Sequence, residues 1–234
     1  MKVDRPNGKK EERFGFDLRA GIPEADYSDI LGRGDHADLK PGAVLFREGD
    51  PARKCYLVVS GRLKLSKLHE GGKEAIIRYI GPGELTAAIA VFEGREYPVT
   101  AEAVGDTEVV VWDKGTMLET MLAYPRLAVE MLRIAVDRLD ELQERYLELV
   151  AEQVERRIAR SLLRIMKHSG RKGEDGITID FPLGRQDLAD YTGTTLYTVS
   201  RVLSAWEKKG WIVSGRERIT VRDPHSLVLF AEHY

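Results

Sequence analysis

Between Leu39 and Asp113 apolar and polar residues alternate in short runs, most plainly in GRLKLSKL and TEVVVW, with the period of two that half-buried strands require. Gly42, Gly49, Gly61, Gly71, Gly72, Gly81, Gly83 and Gly105 fall between these runs, where turns call for positive φ. Many short strands at regular turn spacing predict a sandwich or jelly-roll barrel, a shape whose loops can enclose a ligand. The pattern changes at Tyr124-Pro125, where proline suits a first helical turn and a long stretch without glycine or proline begins. There Leu132, Ala135, Leu139, Leu142, Tyr146 and Leu149 recur at spacings of three and four, a heptad a/d seam flanked by Arg138, Asp140, Glu141, Glu144 and Arg145. Such a seam predicts a helix that pairs with its own copy about a two-fold axis; the alternative is a helix packed only within its own monomer. A second apolar set, Val129, Met131, Ile134 and Val136, is expected to cover the roll.

The stripe breaks near Leu149 to Gln153, which marks a hinge at residues 151–153. A new amphipathic helix follows in VERRIARSLLRIMKH, with Val154, Ile158, Leu162, Ile165 and Met166 on one face. SGRKGEDG is expected to be a loop and ITIDFPLG a strand. From Leu183 to Val213 the chain predicts a helix over Arg185 to Tyr191, a turn through Thr192-Gly193-Thr194 and a second helix to about Lys209. That is the helix-turn-helix arrangement. Leu188 and Ala189 would face inward, as would Val199, Leu203 and Trp206. Thr195, Tyr197, Ser200, Arg201 and Ser204 are left on the outer face, whose N-terminal end enters a DNA major groove in this motif.

The chemistry of each side chain suggests its role. Arg201 is the best base reader, because its planar fork can bond guanine O6 and N7 together. Ser200 suits a base or a phosphate, and Tyr197 suits a thymine methyl. Arg185 and Gln186, at the start of the first helix, are placed to hold phosphate, and Thr194 and Thr198 complete the candidate set. After Lys209-Gly210, a helix end, WIVSGRERITVRD alternates as two strands with Arg216 and Arg218 at the tip of a wing that would reach the DNA backbone or minor groove.

Charge sharpens this picture. The formal net charge is -2. Yet from Glu155 to Arg222 there are 14 Lys or Arg against 8 Asp or Glu, 14 - 8 = +6, a surplus that phosphate backbones favour. At 234 residues, 43% hydrophobic and 32% charged, the chain has the make-up of a globular protein of two domains. No run approaches the ~18 apolar residues of a membrane span, and the polar start lacks the apolar core of a secretory signal, so a cytoplasmic protein with no membrane partner is expected. The single cysteine, Cys55, excludes an internal disulfide and any site needing several thiolates. In its apolar strand it is read as a small buried residue rather than a reactive thiol.

Together these parts resemble the CRP/FNR family of regulators, from about residue 36 to 225. The carriers are LKPGAVLFREGDPARKCYLVVSGRLKL, VERRIARSLLRI and GRQDLADYTGTTLYTVSRVLSAWEKKGWI, in that order. The resemblance implies an α+β chain with a double-stranded β-helix jelly roll, a dimerisation helix and a C-terminal winged helix-turn-helix. Its divisions would be a disordered lead over 1–22, a sensor roll over 23–123, a dimer helix over 124–150, the hinge and a DNA-binding domain over 154–234. It further implies a homodimer on a palindromic DNA site, RNA polymerase as a further partner, and an effector between roll and central helix, lined by Leu85, Ala88, Tyr97, Pro98, Val99, Leu139, Leu142 and Gln143.

Departures from the family pattern bear on that effector. Members that bind cyclic AMP carry a Glu for the ribose and Arg-Ser for the cyclic phosphate, where this chain has Ala88, Tyr97 and Pro98. A buried phosphate without a cation costs several kcal/mol, so cyclic AMP is not expected to bind in the usual way. The YPVTAEA segment is similar to the branch that answers redox or gas signals, although the cysteine motif of an iron-sulfur cluster is missing. For a haem, His36, His69 and His168 are the available ligands; Tyr97 is either a further ligand or a filler of the vacated pocket, the filler being preferred. The alternative to an effector-controlled regulator is a constitutive DNA binder whose roll is only structural. No catalytic triad, metal spacing or phosphate cradle points to an enzyme.

Overall fold

The computed structural model describes residues 17–69 and 71–232. Of the lead over 1–22 expected to be disordered, residues 1–16 lie outside the described residues, whereas within 17–22 Leu18–Gly21 forms a short 3-10 turn, and Leu18 and Ile22 are buried against the roll. The reason is local, since Asp17 caps the turn by accepting from the Arg19 N–H, and Leu18 donates its own N–H to the Gly83 carbonyl.

The roll comprises α1 (Glu24–Leu31), β1 (Asp35–Leu39), β2 (Val44–Phe46), β3 (Lys54–Ser60), β4 (Leu63–Leu68), β5 (Glu74–Ile80), β6 (Leu85–Thr86), α2 (Ala88–Glu93), β7 (Thr100–Ala103) and β8 (Thr107–Asp113). Its two antiparallel sheets have the orders β1-β8-β3-β6 and β2-β7-β4-β5. Alternation explains β4: Leu63 and Leu65 point into the core while Lys64 faces Glu74 and Glu102. β3 and β8 lie in the middle of their sheet and are buried almost throughout, Cys55, Val58, Val109 and Val110 being fully enclosed. Gly61 joins β3 to β4 at φ +78°, and a Cβ there would lie 2.2 Å from the Asp106 carbonyl oxygen, so no other residue fits the corner.

α3 (Lys114–Ala123) follows β8 and leads into α4 (Pro125–Ala151), with Pro125 at its start as the sequence suggests. The roll-facing side of α4 is corrected. Val129 and Val136 are exposed, and Leu127 and Ile134 are the residues buried against the roll, with Met131 partly so. Leu132, Leu139, Leu142, Tyr146 and Leu149 stand exposed along the neighbouring side, Ala135 half-buried beside them.

Glu152 and Gln153 separate α4 from α5 (Val154–Ser169), and Ala151, expected in the hinge at 151–153, is the last residue of α4. The stretch SGRKGEDG is not a plain loop: β9 (Gly170–Gly173) pairs with β10 (Gly176–Ile179), and the sheet order β11-β12-β10-β9 builds a four-stranded wing with β11 (Ile212–Gly215) and β12 (Arg218–Val221). Between them lie α6 (Arg185–Thr192) and α7 (Leu196–Lys208), and α8 (Pro224–Glu232) closes the domain. Ile158, Leu162, Leu188, Ala189, Val199, Leu203 and Trp206 form its core, as the periodicity predicts.

Candidate DNA-binding surface and effector cavity

The turn between α6 and α7 sets the candidate DNA-binding surface. Gly193 ends α6 in the left-handed region at φ +65°, and Thr195 caps α7 by accepting from the Thr198 N–H. This places the α7 N-terminus, with its positive dipole end, at the surface. Thr195 and Tyr197 are exposed, Tyr197 by 79%, and Thr194, Thr198 and Ser200 are half-buried around them. Val199, one residue on, is fully buried, so the helix divides cleanly between core and outer face.

The arginines are brought into different settings. Arg201 is exposed and pairs with Glu155 at 2.7 Å, a contact between α7 and the first turn of α5. Glu155 is held below the usual carboxylate range by its own backbone N–H and by Arg201. Arg185 donates to Ser214 Oγ at 2.8 Å and lies 3.6 Å from Glu207, so it ties α6 to the wing. Gln186 bonds Asp190 at 2.9 Å on the exposed side of α6. Arg216 and Arg218 border a shallow groove shared with Arg171 and Lys172 of β9. Those two cations were hidden in a stretch that composition alone marks as loop.

A second site lies between roll and α4. An apolar cavity of about 680 Å³ is lined by seven of the eight residues expected there, Leu85, Ala88, Tyr97, Pro98, Val99, Leu139 and Leu142; Gln143 is exposed and takes no part. Phe46, Met131 and Arg138 also border it and were missed, because only the fold brings β2 and the inner side of α4 together. Tyr97 is buried, stacks on Phe46 with ring centroids 4.1 Å apart, and its hydroxyl both accepts from the Lys54 N–H and donates to the Lys54 carbonyl. It fills the pocket wall. His36 is on β1, paired with Glu108 at 3.0 Å, His69 accepts from the Gly71 N–H beyond β4, and His168 is at the end of α5. None of the three lines the cavity, so they do not fit an axial pair for a haem held there. Among the described residues no group of three or more His, Cys, Asp or Glu could hold a metal ion. Among them, too, no helix is long and apolar enough to cross a membrane.

Between the two sites the domains meet through buried ions. Arg164 of α5 makes a two-pronged contact with Glu148 of α4, at 2.8 and 3.2 Å. Arg145 of α4 donates to the carbonyls of Ile77 and Tyr191 and lies over the Tyr191 ring. Arg62 reaches from the roll to Asp180 at 3.4 Å and covers the Phe181 ring. Roll, helix and DNA-binding domain are thus linked through four elements.

Comparison with known proteins agrees with this geometry. Residues 37–124 match the cyclic nucleotide-binding domain and residues 156–230 the Crp-like helix-turn-helix domain. The chain is 30% identical to the cyclic AMP receptor protein of Thermus thermophilus over 182 residues, 78% of this chain and 81% of that protein. It is 28% identical to the transcriptional activator protein FnrA of Stutzerimonas stutzeri, over 87% of this chain and 82% of that one. Its fold is that of FixK2 from Bradyrhizobium japonicum, with a TM-score of 0.74 and 24% identity over 86% of this chain and 98% of that one. With an antiparallel roll, a long helix and a winged helix-turn-helix in one order, the chain belongs to the CRP/FNR family of DNA-binding transcription regulators.

Proposed function

We propose that the protein works as a homodimer on an inverted repeat, and that an effector in the cavity between roll and α4 controls its affinity for DNA. The observation that carries this reading is the exposed apolar seam of α4: Leu132, Leu139, Leu142, Tyr146 and Leu149 are each more than half exposed in the single chain. A surface of that kind is stable in water only when covered, and a second copy of the same seam covers it with knobs-into-holes packing. Two copies would present two α7 tips on one side of a duplex, about one helical turn apart. Because the cavity shares Leu139 and Leu142 with the seam, a ligand there touches the helix on which the partner rests. It can therefore favour one packing of the pair over another, and the hinge at Glu152 and Gln153 carries that change to α5.

Arg201 reads a base, the α6 N-terminus and the wing hold phosphates, and cyclic AMP is not the effector, since Ala88, Tyr97 and Pro98 offer its phosphate and ribose no partner. RNA polymerase and a cytoplasmic site of action complete the proposal. The experiment is selection of bound duplexes from a random pool by the purified protein, followed by sedimentation of protein alone and with the selected DNA. Recovery of an inverted repeat bound by two chains is expected. A monomer that binds no duplex even at low salt would overturn the reading.

A further inference from the structure

Arg201 is given a base to read, but a guanidinium on a long stem in water is not aimed by itself. Its side chain is 58% exposed, and fixing it on a base removes rotamer freedom, a loss that falls on the affinity for the correct sequence. The same freedom lets it reach a backbone phosphate on any duplex, which adds affinity without sequence. A partner that fixes the guanidinium before DNA arrives would sharpen discrimination.

Glu155 is placed to do so. Arg201 Nη2 donates to Glu155 Oε1 at 2.7 Å, joining the outer face of α7 to the first turn of α5. Both helices are rooted in one core, α5 through Ile158 and Leu162 and α7 through Val199 and Leu203, all fully enclosed, so the carboxylate is a fixed point beside the reading face. Its neighbours are turned elsewhere: Arg157 donates to the Thr192 carbonyl at 3.0 Å, and Glu152 meets Arg160 at 2.9 Å. Stereochemistry lets the pair survive on DNA. A guanidinium offers two bidentate edges, Nε with Nη2 and Nη1 with Nη2, and each Nη2 hydrogen belongs to one of them. Whichever of these hydrogens the carboxylate takes, the other edge is left whole for guanine O6 and N7. A guanine can take the guanidinium over without drawing it from Glu155, whereas a phosphate on the rim of the groove has to pull it away.

We infer that Glu155 is a positioning residue that sets sequence discrimination: it holds Arg201 aimed at a base edge and keeps it from the DNA backbone. This rests on Arg201 being the base reader proposed above. The test uses the full-length protein, the selected inverted repeat, its single-base variants and an unrelated duplex, titrated by anisotropy at one salt concentration. Arg201→Ala identifies the base pair at which discrimination is lost. At that pair Glu155→Gln, which keeps the shape and drops the charge, is expected to lower discrimination about threefold, within the roughly fivefold that an exposed ion pair is worth at most. It should also raise affinity for the unrelated duplex and leave discrimination at the other positions unchanged. Glu155→Ala, which has no acceptor, should lower discrimination at least as far. In the Arg201→Ala background Glu155→Gln should have no effect on discrimination at that pair.

Equal gain on every sequence would show that Glu155 acts only by repelling phosphates. A rise in discrimination at the Arg201 pair would show that it competes with guanine instead. Either result overturns the inference, as does a fall that persists without Arg201. The two proposals separate on the same titrations. If Arg201→Ala flattens no position, the base-reader reading fails and this role with it. If it flattens one and both Glu155 variants leave that position intact, only the role of Glu155 fails.

Discussion

Arg201 and Arg185 are both cations of the helix-turn-helix, but their partners set them apart. The Arg201–Glu155 pair is exposed, and pairs of that kind contribute about 0–1 kcal/mol, so a guanine edge worth about 1–3 kcal/mol can take the guanidinium over. Arg201→Ala is expected to cost about 1–3 kcal/mol on the selected site and to flatten discrimination at one base pair, measured by anisotropy titration against single-base variants. Arg185→Ala should weaken every sequence alike, and it should also loosen the wing, since it removes the bond to Ser214. If both variants lose affinity equally on all sequences, Arg201 is not the base reader. Cys55 gives a second residue-level test. It is fully buried, and burial pushes its thiol up to about 12, well above the ~8.5 of a free cysteine. Because the thiolate is the reactive form, alkylation of the folded protein near pH 8 should be at least about a hundredfold slower than in urea. Rapid labelling of the native protein would contradict the placement of Cys55 in the strand core.

At the scale of elements, the Arg164–Glu148 pair decides how firmly α5 sits on α4. Both side chains are mostly buried, at 14% and 7% exposure, so Glu148→Ala removes the two-pronged partner of Arg164, leaves it only the longer 3.8 Å contact with Glu141, and should cost about 3 kcal/mol in urea unfolding. Replacing both by leucine should cost less, because the two deeply buried charges leave together and only the more exposed Glu141 loses a 3.8 Å contact. A double variant as unstable as the single one would show that the pair acts through packing instead. The same elements tell how much the sequence discloses. α4, α5, α6 and α7 are legible because their apolar positions recur at helical spacing over two turns or more, and β3, β4 and β8 because they alternate or run apolar between glycines. α2, α3 and α8 carry weak stripes, and β1, with its sequence DHADL, has one clearly apolar inward position. Such elements are fixed by what they pack against. β9 is exposed at all four residues, so its pairing with β10 leaves no mark in hydropathy, and Arg171 and Lys172 go unnoticed beside the wing. Val129 and Val136 mislead for the converse reason: their spacing states that a face is apolar but not which neighbour it meets.

The whole molecule depends on what that face meets. Val129, Val136 and Val150 are at least half exposed alongside Leu132, Leu139, Leu142, Tyr146 and Leu149, so the uncovered stripe is wider than a strict a/d seam. A wide stripe suits a close helix pair in which the flanking valines touch the partner's roll, and that contact would also roof the cavity from the open side. Leu139→Glu together with Leu142→Glu puts two charges per chain into the pair, four in the dimer, and desolvating them costs more than the seam returns. The variant should sediment as a folded monomer with unchanged roll and wing spectra. Its affinity for the inverted repeat should fall to that of one half-site, because the second contact is no longer held at high local concentration. The salt dependence should fall with it, as the slope follows the number of phosphates neutralised and one subunit engages half of them. A variant that remains dimeric would place the partner elsewhere. A monomer that kept full affinity and slope would show that each chain reads DNA by itself, and that pairing along α4 serves some end other than placing two helix tips on one duplex.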